Sequence, residues 1–187
     1  MHRRQFIGLA SMAGISALAG CSNLFGPDPE PITGASDDGS GGGSGAVSIT
    51  RVEGIDTDGN NTIDTLRAHV VLSRGSSAVD LSQAVYTLQR FKRTIDGDTE
   101  SQNAYIENGG NGVSFEKVEG GDGDSSVLQQ REDKVVVQFD LTAIDGIDPL
   151  EPEAEMTFEL QTPQGSTSSE QLTAPETISP DETYLIQ

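Results

Sequence analysis

The sequence predicts an all-β fold for residues 46–187: an antiparallel β-sandwich of about eight short strands. Three observations predict it. Apolar residues alternate with a period of two in several segments, Gly, Pro, Asn and Asp separate those segments, and no stretch of ten residues carries helical spacing. In Thr65–Leu72 the set Leu66, Ala68, Val70 and Leu72 shares one face of a strand. In Lys134–Leu141 it is Val135, Val137, Phe139 and Leu141, and in Glu155–Leu160 it is Met156, Phe158 and Leu160. Each strand therefore has one buried face, as two packed sheets require.

Five shorter strands complete the expectation: Val47–Val52, Ala84–Phe91, Val113–Val118, Ser169–Thr173 and Thr183–Ile186. Turn residues such as Pro163-Gln164-Gly165 lie between them. The polar stretch from Thr94 to Gly112 reads as a surface excursion. His69 falls on the outward side of its strand beside Arg67 and away from the core. Apart from His2 it is the chain's only histidine, so a nucleophile with a histidine base finds little support. Carboxylate pairs such as Asp96 with Asp98, or Glu151 with Glu153, follow from the acid content alone. The Gly runs at 39–45 and 109–112 precede no helix and make no phosphate loop. No enzyme is expected.

Ahead of this domain, Arg3-Arg4, an apolar run of small residues from Ile7 to Ala19 and the box Leu18-Ala19-Gly20-Cys21 read as a twin-arginine export signal with a lipoprotein cleavage site. The run is too short and too rich in Gly, Ala and Ser to span a bilayer, which takes about 20 strongly apolar residues. Residues 1–20 are the expected signal peptide, with Arg3 and Arg4 as its export signal. Cys21 is the expected lipidation site, carrying a covalent lipid that anchors the chain to the membrane. No second cysteine exists, so no disulfide supports the fold. Residues 21–45 then read as the lipidated Cys and a flexible Gly/Ser/Asp/Pro linker; a coil of about 24 residues spans roughly 27 Å.

The chain holds 30 acidic against 11 basic side chains, a formal charge of −19. Loss of Arg3 and Arg4, with no acid lost, leaves nine basic groups and −21. Nucleic acid is excluded as a partner. In dilute buffer such a surface repels itself, whereas at molar salt the Debye length falls to about 3 Å. Because the acids are dispersed and not blocked, the composition reads as halophilic.

One loop carries metal-type spacing. Asp56, Asp58, Asn60 and Asp64 place side-chain oxygens at positions 1, 3, 5 and 9 of an EF-hand-like loop, with Ile63 at position 8. They form a candidate calcium site. Position 12 is Arg67 where such loops carry a bidentate Glu, and Asn61 replaces the usual Gly, so the site is incomplete. The competing reading is an Asp/Asn/Gly turn between strands. Asn60-Asn61-Thr62 is also a glycosylation acceptor sequence, and a glycan on Asn60 would obstruct ligation.

Further residues carry a family resemblance. Asp64–Leu72, the Ser73-Arg74-Gly75-Ser76 turn and Val79-Asp80-Leu81-Ser82 resemble the outer domain of archaellins, the archaeal flagellins. So do Val127-Leu128, Arg131–Leu141, Pro149-Leu150-Glu151-Pro152, Thr162-Pro163-Gln164-Gly165 and Ala174-Pro175-Glu176, in the same order. The resemblance covers roughly Val47–Gln187 and implies an immunoglobulin-like sandwich exposed on a surface. It also implies a long hydrophobic helix that builds the filament, but here the twin-arginine lipoprotein signal stands in that place, so filament building does not carry over.

The expected function is that of a lipid-anchored, archaellin-like structural or interaction protein on the outer face of a haloarchaeal cytoplasmic membrane. Its expected partners are the archaellum, the S-layer or other surface proteins. The alternative is a membrane-tethered lipoprotein that binds a solute, with Tyr86, Tyr105 and Lys92 as pocket residues and the 94–112 segment shaping the pocket.

Overall fold

Two antiparallel sheets face each other across one apolar core in the computed structural model, which describes residues 46–93 and 99–187, with backbone only at 91–93 and 99–100. The expected signal peptide and linker, with Arg3, Arg4 and Cys21, lie outside the described residues. The strands are β1 (Val47–Ile55), β2 (Thr65–Leu72), β3 (Val79–Asp80), β4 (Val85–Arg93), β5 (Thr99–Glu107), β6 (Val113–Glu119), β7 (Val127–Leu128), β8 (Lys134–Asp140), β9 (Glu155–Gln161), β10 (Thr167–Thr173) and β11 (Thr183–Leu185). One sheet runs β11-β1-β2-β8-β6 and the other β10-β9-β4-β5, while β3 and β7 form a small separate pair. The only helical element among the described residues is a single 3-10 turn, Leu81–Gln83.

All eight expected strands are present, and the three with a predicted apolar face turn it inward. Leu66, Ala68 and Val70 of β2, Val135, Val137 and Phe139 of β8, and Met156, Phe158 and Leu160 of β9 are all buried. Tyr86 and Phe158 from one sheet meet Phe139 from the other. Tyr86 lies edge-on to Phe139 at 5.2 Å between centroids and Phe158 edge-on to Phe139 at 5.3 Å, the geometry that aromatic quadrupoles prefer. The Tyr86 hydroxyl donates to the Leu81 carbonyl at 2.7 Å, so burying this polar atom leaves no orphan. Burial, and then the Asp80 charge, push the phenol's pKa far up.

The expected surface excursion from Thr94 to Gly112 contains a strand of the second sheet. Thr99–Glu107 forms β5, paired with β4 from Val85↔Glu107 to Arg93↔Thr99. Its inward side holds buried Ala104 and Ile106, and two apolar residues are enough for an edge strand that covers only the rim of a core. His69 sits on the outer face as expected, yet is only 4% exposed. Its ring Nε2 lies 3.1 Å from Glu53, and it is paired in register with Val136, also buried on that outer face.

The rims of the sheets are guarded. On β6, Lys117 points inward to an ion pair with buried Asp133 at 3.6 Å, and the pairing with β8 bulges between Lys117 and Glu119. On β10, Ser168 donates to the Val47 carbonyl at 2.8 Å and the Thr173 amide to the Ile186 carbonyl at 2.8 Å. Beside β5 the chain passes so close that a Cβ on Gly146 (φ 86°) would lie 2.9 Å from the Asn103 carbonyl. β11 is three residues long.

Candidate functional site

The candidate cation loop joins β1 to β2 and turns on its own side chains. Buried Asp56 accepts from the amides of Gly59 (2.8 Å), Asn60 (3.2 Å) and Asn61 (2.9 Å). Asn61 takes up a left-handed φ of 64°, so it performs the turn that Gly makes in such loops. Buried Asp64 accepts four bonds: the Thr57 amide (2.8 Å), the Asp58 amide (3.0 Å), the Thr57 hydroxyl (2.8 Å) and the Thr65 hydroxyl (2.9 Å). The far side is pinned by the Ile63–Leu150 bridge and by the Asp181 amide, which donates to the Asp56 carbonyl at 2.9 Å.

Three of the four candidate ligands, Asp56, Asp58 and Asp64, lie together: one oxygen from each is within 4.8 Å of the others. Asn60 does not join them. Its carbonyl oxygen accepts from the amide and hydroxyl of Thr62, and its amide donates to Asp58 at 2.9 Å. Arg67, at the twelfth position, turns to Glu116 at 3.3 Å. A carboxylate accepts about four bonds, so Asp64 is filled by its own chain, whereas Asp56 and Asp58 keep capacity. The electrostatics agree. Burial alone would raise the Asp64 pKa, but its hydrogen bonds from Thr57, Thr65 and Asp58 outweigh this and hold it low. Lost hydration, then the charges of Asp64 and Asp56, hold Asp58 above the ordinary value despite a bond from the Asn60 amide. The residues fit a cation only in part. Asp56 and Asp58 could ligate one directly, and Asp64 only by giving up a hydroxyl bond.

Of the pocket residues of the solute-binding alternative, Tyr86 and Tyr105 do not converge: Tyr86 belongs to the core and Tyr105 is 65% exposed on β5; the Lys92 side chain lies outside the described residues. Of the carboxylate pairs, Glu151 and Glu153 are both exposed, and Asp96 and Asp98 lie outside the described residues. Sequence reading missed Arg90, which is 2% exposed and closes the end of the core by donating to the Pro149 carbonyl at 2.9 Å and to Glu151 at 3.3 Å. Its position two residues beyond Leu88 on the inward side of β4 was the available signal.

The outer faces of the two sheets differ in kind. On the five-stranded sheet Arg51 pairs with Glu53 (3.2 Å), Arg67 with Glu116 (3.3 Å) and Lys134 with Glu119 (2.8 Å), around buried His69 and Val136. On the four-stranded sheet two adjoining cross-strand rows run Ser169–Glu159–Thr87–Tyr105 and Gln171–Thr157–Gln89–Asn103.

No family model matches the chain, and no curated protein matches it. Among solved structures, it is similar to the archaeal flagellin FlaB1 of Methanocaldococcus jannaschii, at 16% identity and a TM-score of 0.59, over 77% of this chain and 98% of that one. Weaker likenesses are to archaellum periplasmic stator proteins of Sulfolobus acidocaldarius. The FlaF and FlaG complex gives 19% identity and a TM-score of 0.40 over 67% of this chain and 87% of that one; FlaG alone gives 17% and 0.39 over 67% and 96%. The FlaB1 likeness is one of fold: the chain carries an archaellin-like, all-β sandwich.

Proposed function

We propose that this protein is a non-enzymatic surface-contact module, a sandwich tethered through lipidated Cys21 to the outer face of a haloarchaeal membrane and held clear of it by residues 22–45. The observation that carries the reading is the fold likeness to FlaB1, which spans nearly all of that chain. The archaellum is the first partner to test, ahead of the S-layer or other surface proteins. In the same reading the loop has two competing uses: Asn60, exposed, is a glycan acceptor, and where it carries no glycan Asp56 and Asp58 are the carboxylates that a weakly bound calcium ion would meet.

Cell fractionation tests the proposal. Immunoblots of sheared filaments and of washed membranes should find the protein in the membranes, and mass spectrometry should find a lipid on an N-terminal Cys21. Enrichment in filaments, or an unmodified Cys21, overturns the tethered reading.

A further inference from the structure

We infer that the outer face of the four-stranded sheet is a binding surface for a neutral, polyhydroxylated ligand, namely a glycan. The argument begins with composition. Charged residues are 22% of this chain, and acids outnumber bases almost threefold. The two rows at the centre of this face hold no base and one acid, Glu159, with Glu155 and Glu107 in the rows on either side. The remaining side chains are three amides (Gln89, Asn103, Gln171), three hydroxyls (Thr87, Thr157, Ser169) and the phenol of Tyr105.

The register makes them a patch. Four strands spaced by about 4.8 Å, with rows two residues apart, give a flat area of roughly 14 by 7 Å, enough for a short oligosaccharide. Its hydrogen-bonding groups are uncommitted: Thr87, Gln89, Thr157, Glu159, Ser169 and Gln171 make no side-chain hydrogen bond to a described residue. Asn103 spends one amide hydrogen on the Ser101 hydroxyl, at 2.9 Å. On the opposite sheet the long side chains are instead tied to one another in ion pairs.

Amides and hydroxyls both donate and accept, as sugar hydroxyls do, and Glu159 can accept from two neighbouring hydroxyls. The exposed Tyr105 ring at the end of its row offers an apolar plane for the C–H face of a sugar, with little side-chain entropy to lose. Charge then selects among occupants. An anionic polymer would find no cation in these rows and would meet Glu159 on a chain of charge −19. A protein partner needs an apolar centre, and Tyr105 alone does not supply one. A neutral polyol meets neither obstacle.

This inference gives the surface-contact reading a ligand class, and it rests on that reading only for its use on the cell. Binding is measured with the purified full chain, so fractionation and binding can fail separately. In molar potassium chloride the chain is passed over mannan-agarose and dextran-agarose, with heparin-agarose as the anionic control. The expected result is retention on a neutral matrix and not on heparin. Tyr105→Ala, and separately the pair Gln89→Ala with Gln171→Ala, should each weaken retention about tenfold. Glu116→Ala on the opposite sheet should leave it unchanged, and circular dichroism should confirm that every variant is folded. The inference is overturned by retention on heparin alone, by no retention on either neutral matrix, or by neutral retention that the Tyr105 and Gln variants leave intact. Self-association abolished by Tyr105→Ala would also overturn it, assigning the face to a second copy.

Discussion

The two outer faces of this sandwich are built from the same backbone geometry and solve the problem of a solvent-facing sheet in opposite ways. The five-stranded sheet covers its middle with ion-paired long side chains, so that His69 and Val136 are buried with no second layer of described residues above them. The four-stranded sheet leaves short amides and hydroxyls standing free. The first face is committed to the fold, and the second is available to something else.

The largest expected effect comes from placing the same charge on both faces. Val136→Asp puts an unpaired carboxylate where only 1% of the side chain is exposed and should cost about 3 kcal/mol. Thr157→Asp, facing outward on β9, should stay within about 0.5 kcal/mol. Denaturant melts in molar salt measure both, and equal losses would break the contrast between the faces.

Loops tied to the ionic half are its next weakness. Asp64→Ala orphans two amides and should cost about 2 kcal/mol. The acids that brace these loops have lowered pKa values. For Asp133 the bond from the Gln129 amide is the largest cause; burial opposes it, and the Gln130 amide and the Lys117 charge lower the value further. For Asp80, burial alone would raise the value, but bonds from Ser82, Gln83 and Ser126 outweigh it. A lowered folded pKa contributes stability that is present above the unfolded value near 3.9 and is lost as pH falls through the folded value. Below pH 4, hydrogen exchange should therefore speed up first around residues 56–64 and 120–133, and later in β9 and β10. Simultaneous loss would mean that the two halves do not differ in acid sensitivity.

Tyr86→Phe sharpens the comparison from the core, where neither face is involved. Losing the bond to Leu81 should cost about 1 kcal/mol, read as a shift in the denaturant midpoint at unchanged slope. The smallest effect belongs to the Asp56–Asp64 loop. Millimolar calcium should raise the melting temperature by about a degree, and Asp58→Asn should remove that rise; no shift in the unsubstituted chain would retire the cation.

Much of the fold was legible because alternation reports burial directly: the three segments with a full one-sided apolar set became β2, β8 and β9, and the five shorter segments became strands as well. β5 escaped because its inward side offers only Ala104 and Ile106 amid polar residues, and β3 and β7 are too short to have a period. Loop spacing singled out Asp56, Asp58, Asn60 and Asp64, and the three acids lie together. It could not show that Asn60 turns its oxygen to Thr62, which depends on a side-chain torsion and not on position. Nor could the amide and hydroxyl rows of the four-stranded sheet be read, since they exist only once the register of four separated strands is fixed.

The guarded rims bear on crowding. Molecules held side by side on a membrane collide far more often than molecules in dilute solution, and exposed strand edges under those conditions zip into continuous sheets that do not come apart. The inward Lys117, the bulge on β6 and the chain passing over Asn103 obstruct that route, so copies brought close together, as the proposed tether would bring them, would collide and still separate.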